Sequence, residues 1–313
     1  MKTVSVFFIL LSTVLSVCCL PSRAGAAAAY AVADGVSGHL LATHHGDERL
    51  PIASLTKIAT AMVVIDWAEH GKEDLGQRIV VPSSVLRLGG ANPVGFDPGD
   101  QVSMRDLLYA ALLQSDNRAA HTLAEHVGRR LAGRSRQDEA TPGELFVAQM
   151  NALARKLGMT RTRFLNPHGL DHEESPFSTA NDLVRLTNYA MARSSFRFYV
   201  SQKQRRIQRN LPDGGMVEYL LVNTNDLLGS NGVDGVKTGR TRKAGDCLIL
   251  SAARPPESVP NPDGTHTITP RRLVVVVLGS GNRFAEGGEL LQRGWRLYDE
   301  WAARGRPTGK NKN

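Results

Sequence analysis

Ser54 and Lys57 stand three positions apart in "PIASLTKIAT", residues 51–60. On a helix, positions i and i+3 share one face, so the hydroxyl and the amine can meet. A serine hydroxyl is a weak nucleophile until a base removes its proton. Lysine can be that base if burial or nearby positive charge brings its pKa toward neutrality. The start of a helix also offers backbone N–H groups to an oxyanion forming on the attacked carbonyl. Alone, S-x-x-K is a weak signal, and two polar residues flanking a core stripe would look the same.

Two further clusters could complete such a site. "LLQSDNRAA" sets Ser115, Asp116 and Asn117 just after an apolar run. These residue types also favour an ordinary helix-terminating turn. As chemistry, Ser115 is a candidate proton relay and Asn117 a candidate donor to substrate or partner of Lys57. "GVDGVKTGRT" ends a strand-like run with Lys237, Thr238 and Gly239. Lys237 would supply positive potential, Thr238 would hydrogen-bond a carboxylate, and Gly239 would let a backbone approach closely.

These clusters must be carried by particular elements. "AYAVADGVSGHLLATHHGDERL" reads as two short strands around a Gly-containing turn. Apolar residues at helical spacing predict helices over 54–69, 104–114, 119–128 and 142–157, with Gly158 as a stop. Another helix is expected from Ser178 or Thr179, as N-cap, to about Arg193. After about Gln204 the character changes. "GVDGVKTG", "DCLILSAA" and "RRLVVVVLG" are strand-like, and "GGELLQRGWRLYDEWA" is a closing amphipathic helix. "RPPESVPNPDGTHTITP" reads as an exposed loop between two antiparallel strands. Strands at both ends and helices between them predict one sheet built from both ends around an inserted helical lobe.

The 313-residue chain, 42% hydrophobic and 22% charged, is long enough for one large domain or two modest ones. Its net charge of +8 fits nucleic acid, an anionic envelope polymer or a membrane surface. Neither a zinc-finger spacing nor an RNA-binding aromatic motif is present, so nucleic acid is not expected. Lys2, the apolar run "VSVFFILLSTVLSVCCL" and the small residues "PSRAGAAAA" make a secretory signal peptide over 1–26, with cleavage near 26–29. A membrane anchor is the alternative, disfavoured by the serines and by Pro21. A lipoprotein reading at Cys18 is disfavoured by the preceding valine. No second spanning segment is found. With Cys18 and Cys19 removed, Cys247 is left alone and is expected to be a buried structural residue. His44 and His45 adjoin in a hairpin and point to opposite faces. His121 and His126 do not share a helical face. His168 reads as a packed turn residue. Without H-E-x-x-H spacing, a zinc peptidase is not supported, and no metal or cofactor is expected.

In this order the three clusters match the S-x-x-K, S-D-N and K-T-G set of penicillin-binding proteins and class A β-lactamases. The chain resembles the serine D-alanyl-D-alanine carboxypeptidases, the low-molecular-mass penicillin-binding proteins, from about residue 29 to 301. "PIASLTKIATA", "DPGDQVSMRDLLYAALLQSDNRAA", "FLNPHGLD", "GVDGVKTGRTRKAGDCL" and "RFAEGGELLQRGW" carry the resemblance. It implies a mixed α/β, β-lactamase/DD-peptidase-like fold: an antiparallel sheet flanked by helices (about 29–60 and 205–303) plus an inserted all-α lobe (about 61–204). Residues 27–303 would form this domain, with the cleft between its parts as the site and 304–313 as a basic disordered tail. The resemblance further implies that Ser54 attacks the bond between two terminal D-alanines of a peptidoglycan stem peptide. Lys57 takes the proton and Ser115 passes one to the departing amine. Backbone N–H groups of Ser54 and Arg240 form the oxyanion hole, and Arg283 meets the substrate's terminal carboxylate. β-Lactams would be covalent inhibitors. Two departures stand out: Asp116, where relatives commonly have glycine, and Arg240, where they commonly have an aromatic residue or histidine.

Three other readings remain. A class A β-lactamase needs an E-x-x-L-N segment between the second and third clusters. The nearest approach, "EYLLVN" from Glu218, has its asparagine one place late. A DD-endopeptidase would use the same serine chemistry. A non-catalytic wall-binding module would have no need of a nucleophile and base. The chain ends soon after Trp295, so the C-terminal β-domain and amphipathic anchor of many relatives are expected to be absent. An extracytoplasmic protein associated with the cell envelope is expected.

Overall fold

A computed structural model describes residues 26–132 and 140–307. Residues 1–25 of the expected signal peptide, and 308–313 of the expected tail, lie outside the described residues. In chain order the first half contains β1 (Ala29–Asp34), β2 (Leu40–His44), β3 (Leu50–Pro51), α1 (Thr56–Gly71), β4 (Arg78–Val80), β5 (Gln101–Ser103), α2 (Met104–Leu113), α3 (Asn117–Ala132) and α4 (Pro142–Lys156). The second half contains β6 (Phe177–Ser178), α5 (Ala180–Met191), α6 (Ser194–Val200), β7 (Gln204–Asn210), β8 (Met216–Val222), β9 (Val233–Thr241), β10 (Gly245–Pro260), β11 (His266–Ser280) and α7 (Arg283–Ala303).

The two ends of the chain do build one antiparallel sheet of five strands, in the order β2-β1-β11-β10-β9. Where β1, β11 and β10 pair in the core, their residues are mainly apolar on both faces because both are covered. Successive residues of "LVVVVL" go to opposite sides. Val274, Val276 and Leu278 join the core shared with the helical lobe. Leu273, Val275 and Val277 join a second core with Leu291, Trp295, Tyr298 and Trp301 of α7. Alternate side chains of a strand point to opposite faces, so one short run serves two cores. Two glycines let α7 lie close to the sheet: a Cβ on Gly287 would stand 2.7 Å from Leu248, and one on Gly294 the same distance from Val32.

Helix α1 is the pivot. A single 3-10 turn (Ala53–Leu55) delivers the chain into it, and it is buried on nearly every side. It packs against α2, α3, α4, α5 and α6. A helix apolar all round has no wet face, so a lysine in its first turn has to leave water. The N-cap of α5 is Thr179, whose hydroxyl accepts from Asp182 N at 3.0 Å.

Three expectations change. The inserted lobe is not purely helical: β4, β5, β7 and β8 form a separate four-stranded sheet, so 204–222 belongs with the lobe rather than the main sheet. The segment expected as a loop between β10 and β11 is a hairpin extension, paired from Glu257–Thr269 out to Pro260–His266. The basic tail does not fray at once. Arg306 pairs with Glu257, and Trp301 Nε1 donates to the Pro307 carbonyl at 3.1 Å. Among the described residues no helix is long and apolar enough to cross a membrane.

Candidate active site

The three clusters converge although long stretches of sequence separate them. Lys57 is fully buried. Its Nζ lies 3.0 Å from Ser54 Oγ, 2.8 Å from Asn117 Oδ1 and 2.7 Å from the His168 carbonyl oxygen. As an ammonium it donates to all three. With one proton lost, Asn117 Oδ1 and the His168 carbonyl take the two remaining N–H groups. The amine lone pair then faces Ser54, whose hydroxyl donates to it. The two fixed acceptors therefore aim the base. Burial lowers the Lys57 pKa to about 7, against an opposing pull from Asp116. That is the tuning a lysine base needs at neutral pH.

Backbone strain accompanies these side chains. Ala53, just before the serine, has φ +47°, and Ser115 has φ +62°. Non-glycine residues rarely take this left-handed conformation, and when they do it is often where a side chain must be aimed. Ser115 follows α2 and is half-buried. Asn117 begins α3. Asp116, the departure between them, turns away from the cleft. Its Oδ1 accepts from Ala119 N at 2.8 Å and its Oδ2 from Val94 N at 3.4 Å. It caps α3. Burial raises its pKa, and those N–H donors oppose the shift.

β9 is an edge strand of the main sheet and runs beside the serine. A Cβ on Gly239 would lie 3.1 Å from Ser54 N and 3.3 Å from Ala53 Cβ, so glycine is what lets the strand pass so closely. Lys237 is buried, with Nζ donating to the Thr238 carbonyl at 2.9 Å. Burial, then the nearby Lys57 and Arg283, holds its pKa well below the usual lysine value. An anion placed beside Lys237 would oppose that lowering. Thr238 Oγ1 is 2.6 Å from Thr224 Oγ1, and Thr224 Oγ1 donates to the Leu113 carbonyl at 3.2 Å. Either hydroxyl can be the donor between the two, and where Thr224 donates, the Thr238 proton is free for a carboxylate. Arg240 leaves its side chain 77% exposed, with Nε 3.4 Å from Asp246 Oδ1. Arg283 is not a free surface arginine. Its Nη1 donates to the Gly239 carbonyl at 3.0 Å and lies 3.4 Å from the same Asp246 oxygen.

Asp246, Thr224 and the backbone role of "NPHGL" are additions that the sequence does not single out. In that loop Asn166 Oδ1 accepts from Gly169 N at 2.6 Å, and the Pro167 carbonyl accepts from Thr60 Oγ1 at 2.6 Å. The His168 carbonyl is thereby held on Lys57. The imidazole itself is packed away: burial keeps its pKa well below the usual value, and Nδ1 accepts from Leu170 N at 3.2 Å. Gly169 has φ +83°, and a Cβ there would fall 1.9 Å from the Ala53 carbonyl oxygen. Gly169→Ala is expected to cost at least about 2 kcal/mol, from backbone strain plus a clash that cannot relax sideways. Urea denaturation measures this. Cys247 is buried, and burial pushes its pKa to about 11, as suits an inert core thiol.

A family profile described as D-alanyl-D-alanine carboxypeptidase matches residues 20–259. The chain belongs to that family. Within it, the carboxypeptidase DacC of Escherichia coli is 34% identical over 283 residues, 87% of this chain and 62% of that protein. The carboxypeptidase DacB2 of Mycobacterium tuberculosis is 34% identical over 237 residues, 75% of this chain and 73% of that protein. The Streptomyces K15 DD-transpeptidase structure superposes with a TM-score of 0.73 at 28% identity, covering 87% of this chain and 97% of that one. The chain spans 62% and 52% of the lengths of the Escherichia coli DacC and Bacillus subtilis DacF carboxypeptidases it matches. The architecture expected from the resemblance, an antiparallel sheet with helices on it and an inserted lobe, is the DD-peptidase fold of this family member.

Proposed function

We propose that this chain hydrolyses the terminal D-Ala-D-Ala bond of peptidoglycan stem peptides through an acyl-enzyme on Ser54. The observation that carries the reading is the buried Lys57 amine, tuned to about 7 and 3.0 Å from the Ser54 hydroxyl. Ser54 Oγ attacks the carbonyl carbon of the penultimate D-alanine while its proton passes to Lys57. The tetrahedral oxyanion is met by the backbone N–H groups of Ser54 and Arg240. Collapse breaks the C–N bond, and the departing amine takes a proton by way of Ser115, so D-alanine leaves. Water then attacks the ester, the C–O bond breaks and Ser54 recovers its proton. Asn117 holds Lys57 and faces the substrate. Lys237, Thr238 and Arg283 receive the terminal carboxylate, and Gly239 admits the peptide backbone.

The same serine would open a β-lactam ring and keep the ester. The penicillin-binding protein D2 of Listeria monocytogenes, solved in a cefotaxime-bound form, superposes with a TM-score of 0.64 at 30% identity, covering 86% of this chain and 97% of that one. The site faces a cell-wall polymer, so the chain would work outside the cytoplasm, after removal of a signal peptide. A cross-link-cutting reading is favoured by one relative, a D-alanyl-D-alanine endopeptidase of Pseudomonas aeruginosa, 33% identical over 225 residues. The test is D-alanine release from a pentapeptide and from a cross-linked dimer, with fluorescent penicillin as a label. Release from the pentapeptide and a long-lived label on Ser54 are expected. Cleavage of the dimer alone gives the endopeptidase. Rapid penicillin turnover without a stable label gives a β-lactamase, and neither release nor label overturns the proposal.

A further inference from the structure

We propose that a signal peptidase of the export machinery hydrolyses the Ala26–Ala27 peptide bond, water giving its hydroxyl to the Ala26 carbonyl carbon and a proton to the Ala27 nitrogen, and that the α-ammonium group so freed is held by Glu286. The inference rests on the signal-peptide reading and narrows it to one bond and one partner. The sequence "AGAAAAY" from Ala24 to Tyr30 offers small residues at the positions one and three before the bond for cuts after Ala26, Ala27, Ala28 or Ala29. Sequence alone does not choose among them. The fold does.

Ala27 N donates to Glu286 Oε2 at 2.7 Å. The other carboxylate oxygen, Oε1, accepts from Ser280 Oγ at 2.9 Å, and Ser280 Oγ accepts from Asn282 N at 2.9 Å. Asn282 is the N-cap of α7. Glu286 is thus pinned in the first turn of that helix, where a carboxylate is already favoured, and it presents one oxygen to Ala27 N. A chain starting at Ala27 places a positive charge on that nitrogen. A neutral amide hydrogen bond becomes a charge-assisted one between opposite charges.

The other cuts fit less well. A chain starting at Ala28 would set its ammonium against the Gly279 carbonyl, which Ala28 N meets at 3.3 Å. It would also strip Glu286 of its partner. A start at Ala29 would put the charge on a fully buried residue at the first rung of β1, opposite Leu278, and burying an unpaired charge is costly. A start at Tyr30 would delete that rung. Ala26, by contrast, is exposed, while Ala27 is buried. Ala28 is exposed again and Ala29 buried, as along a strand edge, so Ala27 is the first packed residue of the chain. The same hollow is lined by Glu289 and Arg293 of α7, Tyr30 of β1 and His44 of β2. The captured terminus would tie β1 to the helix that covers the sheet.

Intact mass and N-terminal sequencing of the protein exported by a bacterial host decide the bond. A single mature start at Ala27 is expected. A start at Ala28, Ala29 or Tyr30 overturns this inference and leaves the signal-peptide reading standing. Recovery of only the uncut chain overturns the signal-peptide reading itself. The partner is decided by thermal melts of chains starting at Ala27 or carrying residues 24–26 ahead of it, each with and without Glu286→Gln. The extension is expected to lower Tm by about 2 °C with Glu286 present, and to change it little once Glu286→Gln has removed the carboxylate charge. Equal effects in the two backgrounds, or none in either, overturn the pairing.

Discussion

Ser54→Ala is expected to reduce D-alanine release from a pentapeptide by at least about 10³-fold and to abolish penicillin labelling, with Tm shifted by no more than about 2 °C. The size of the catalytic effect follows from covalent chemistry: without Oγ no ester forms, and the remaining groups can only bind and polarise the substrate. The small stability effect follows from the surroundings. Ser54 is half-buried and lies in a 3-10 turn that alanine accepts. Its hydroxyl is one of three partners of Lys57, and the other two, Asn117 Oδ1 and the His168 carbonyl, are untouched. A coupled D-alanine assay, a gel of labelled protein and a melt separate the outcomes. If the alanine variant loses its fold as well as its activity, Ser54→Cys isolates the nucleophile, since its thiol should still label with penicillin. Undiminished D-alanine release by a folded Ser54→Ala chain would sink the mechanism.

What the sequence made legible was local. Ser54 and Lys57 are paired by helical geometry, so their spacing alone announces that they can meet. Resemblance singles out Ser115, Asn117, Lys237 and Thr238, and the structure places Asn117 on Lys57 and the Gly239 stretch of β9 beside Ser54. The physics that activates Lys57 was not. Its third partner is a backbone carbonyl 111 residues away, and a carbonyl has no residue-type signature. Its low pKa comes from helices packing on every side of α1, which a single segment cannot reveal. Asp116 is legible in sequence as a departure from relatives, because sequence shows its position and not its direction. In space it turns into the α3 N-terminus. The lobe's own sheet was missed for a different reason. β7 reads "QRRIQRN" and buries only Ile207, so its polar residues hide the alternation that normally marks a strand. The outer hairpin of β10 and β11 is largely exposed, and turn-forming residues dominate its composition.

The wild-type chain is expected to acylate faster with penicillin as pH rises toward 7 and to level off above it, because only the unprotonated Lys57 can take the Ser54 proton. Lys57→Met should remove labelling at every pH, since a thioether cannot serve as that base. The same amine leaves a mark on stability, with a definite sign. Its pKa is about 7 in the folded chain and about 10.4 in an unfolded one. Between those values the unfolded chain binds the extra proton, so stability rises with pH across that window, by about 1.4 kcal/mol per pH unit for one such group. Below about 7 and above about 10 this contribution is flat. Lys237, also lowered by burial, adds a slope of the same sign. Lys57→Met should therefore lessen the rise in urea-denaturation stability between about pH 7 and 10 without erasing it. It also leaves Asn117 Oδ1 and the His168 carbonyl without their donor, which costs about 1–3 kcal/mol for each buried acceptor so stranded, so the slope rather than the absolute stability is the quantity to compare. An unchanged slope in the folded variant would mean that Lys57 is not neutral in the native chain at about pH 8, and the base would have to be sought elsewhere.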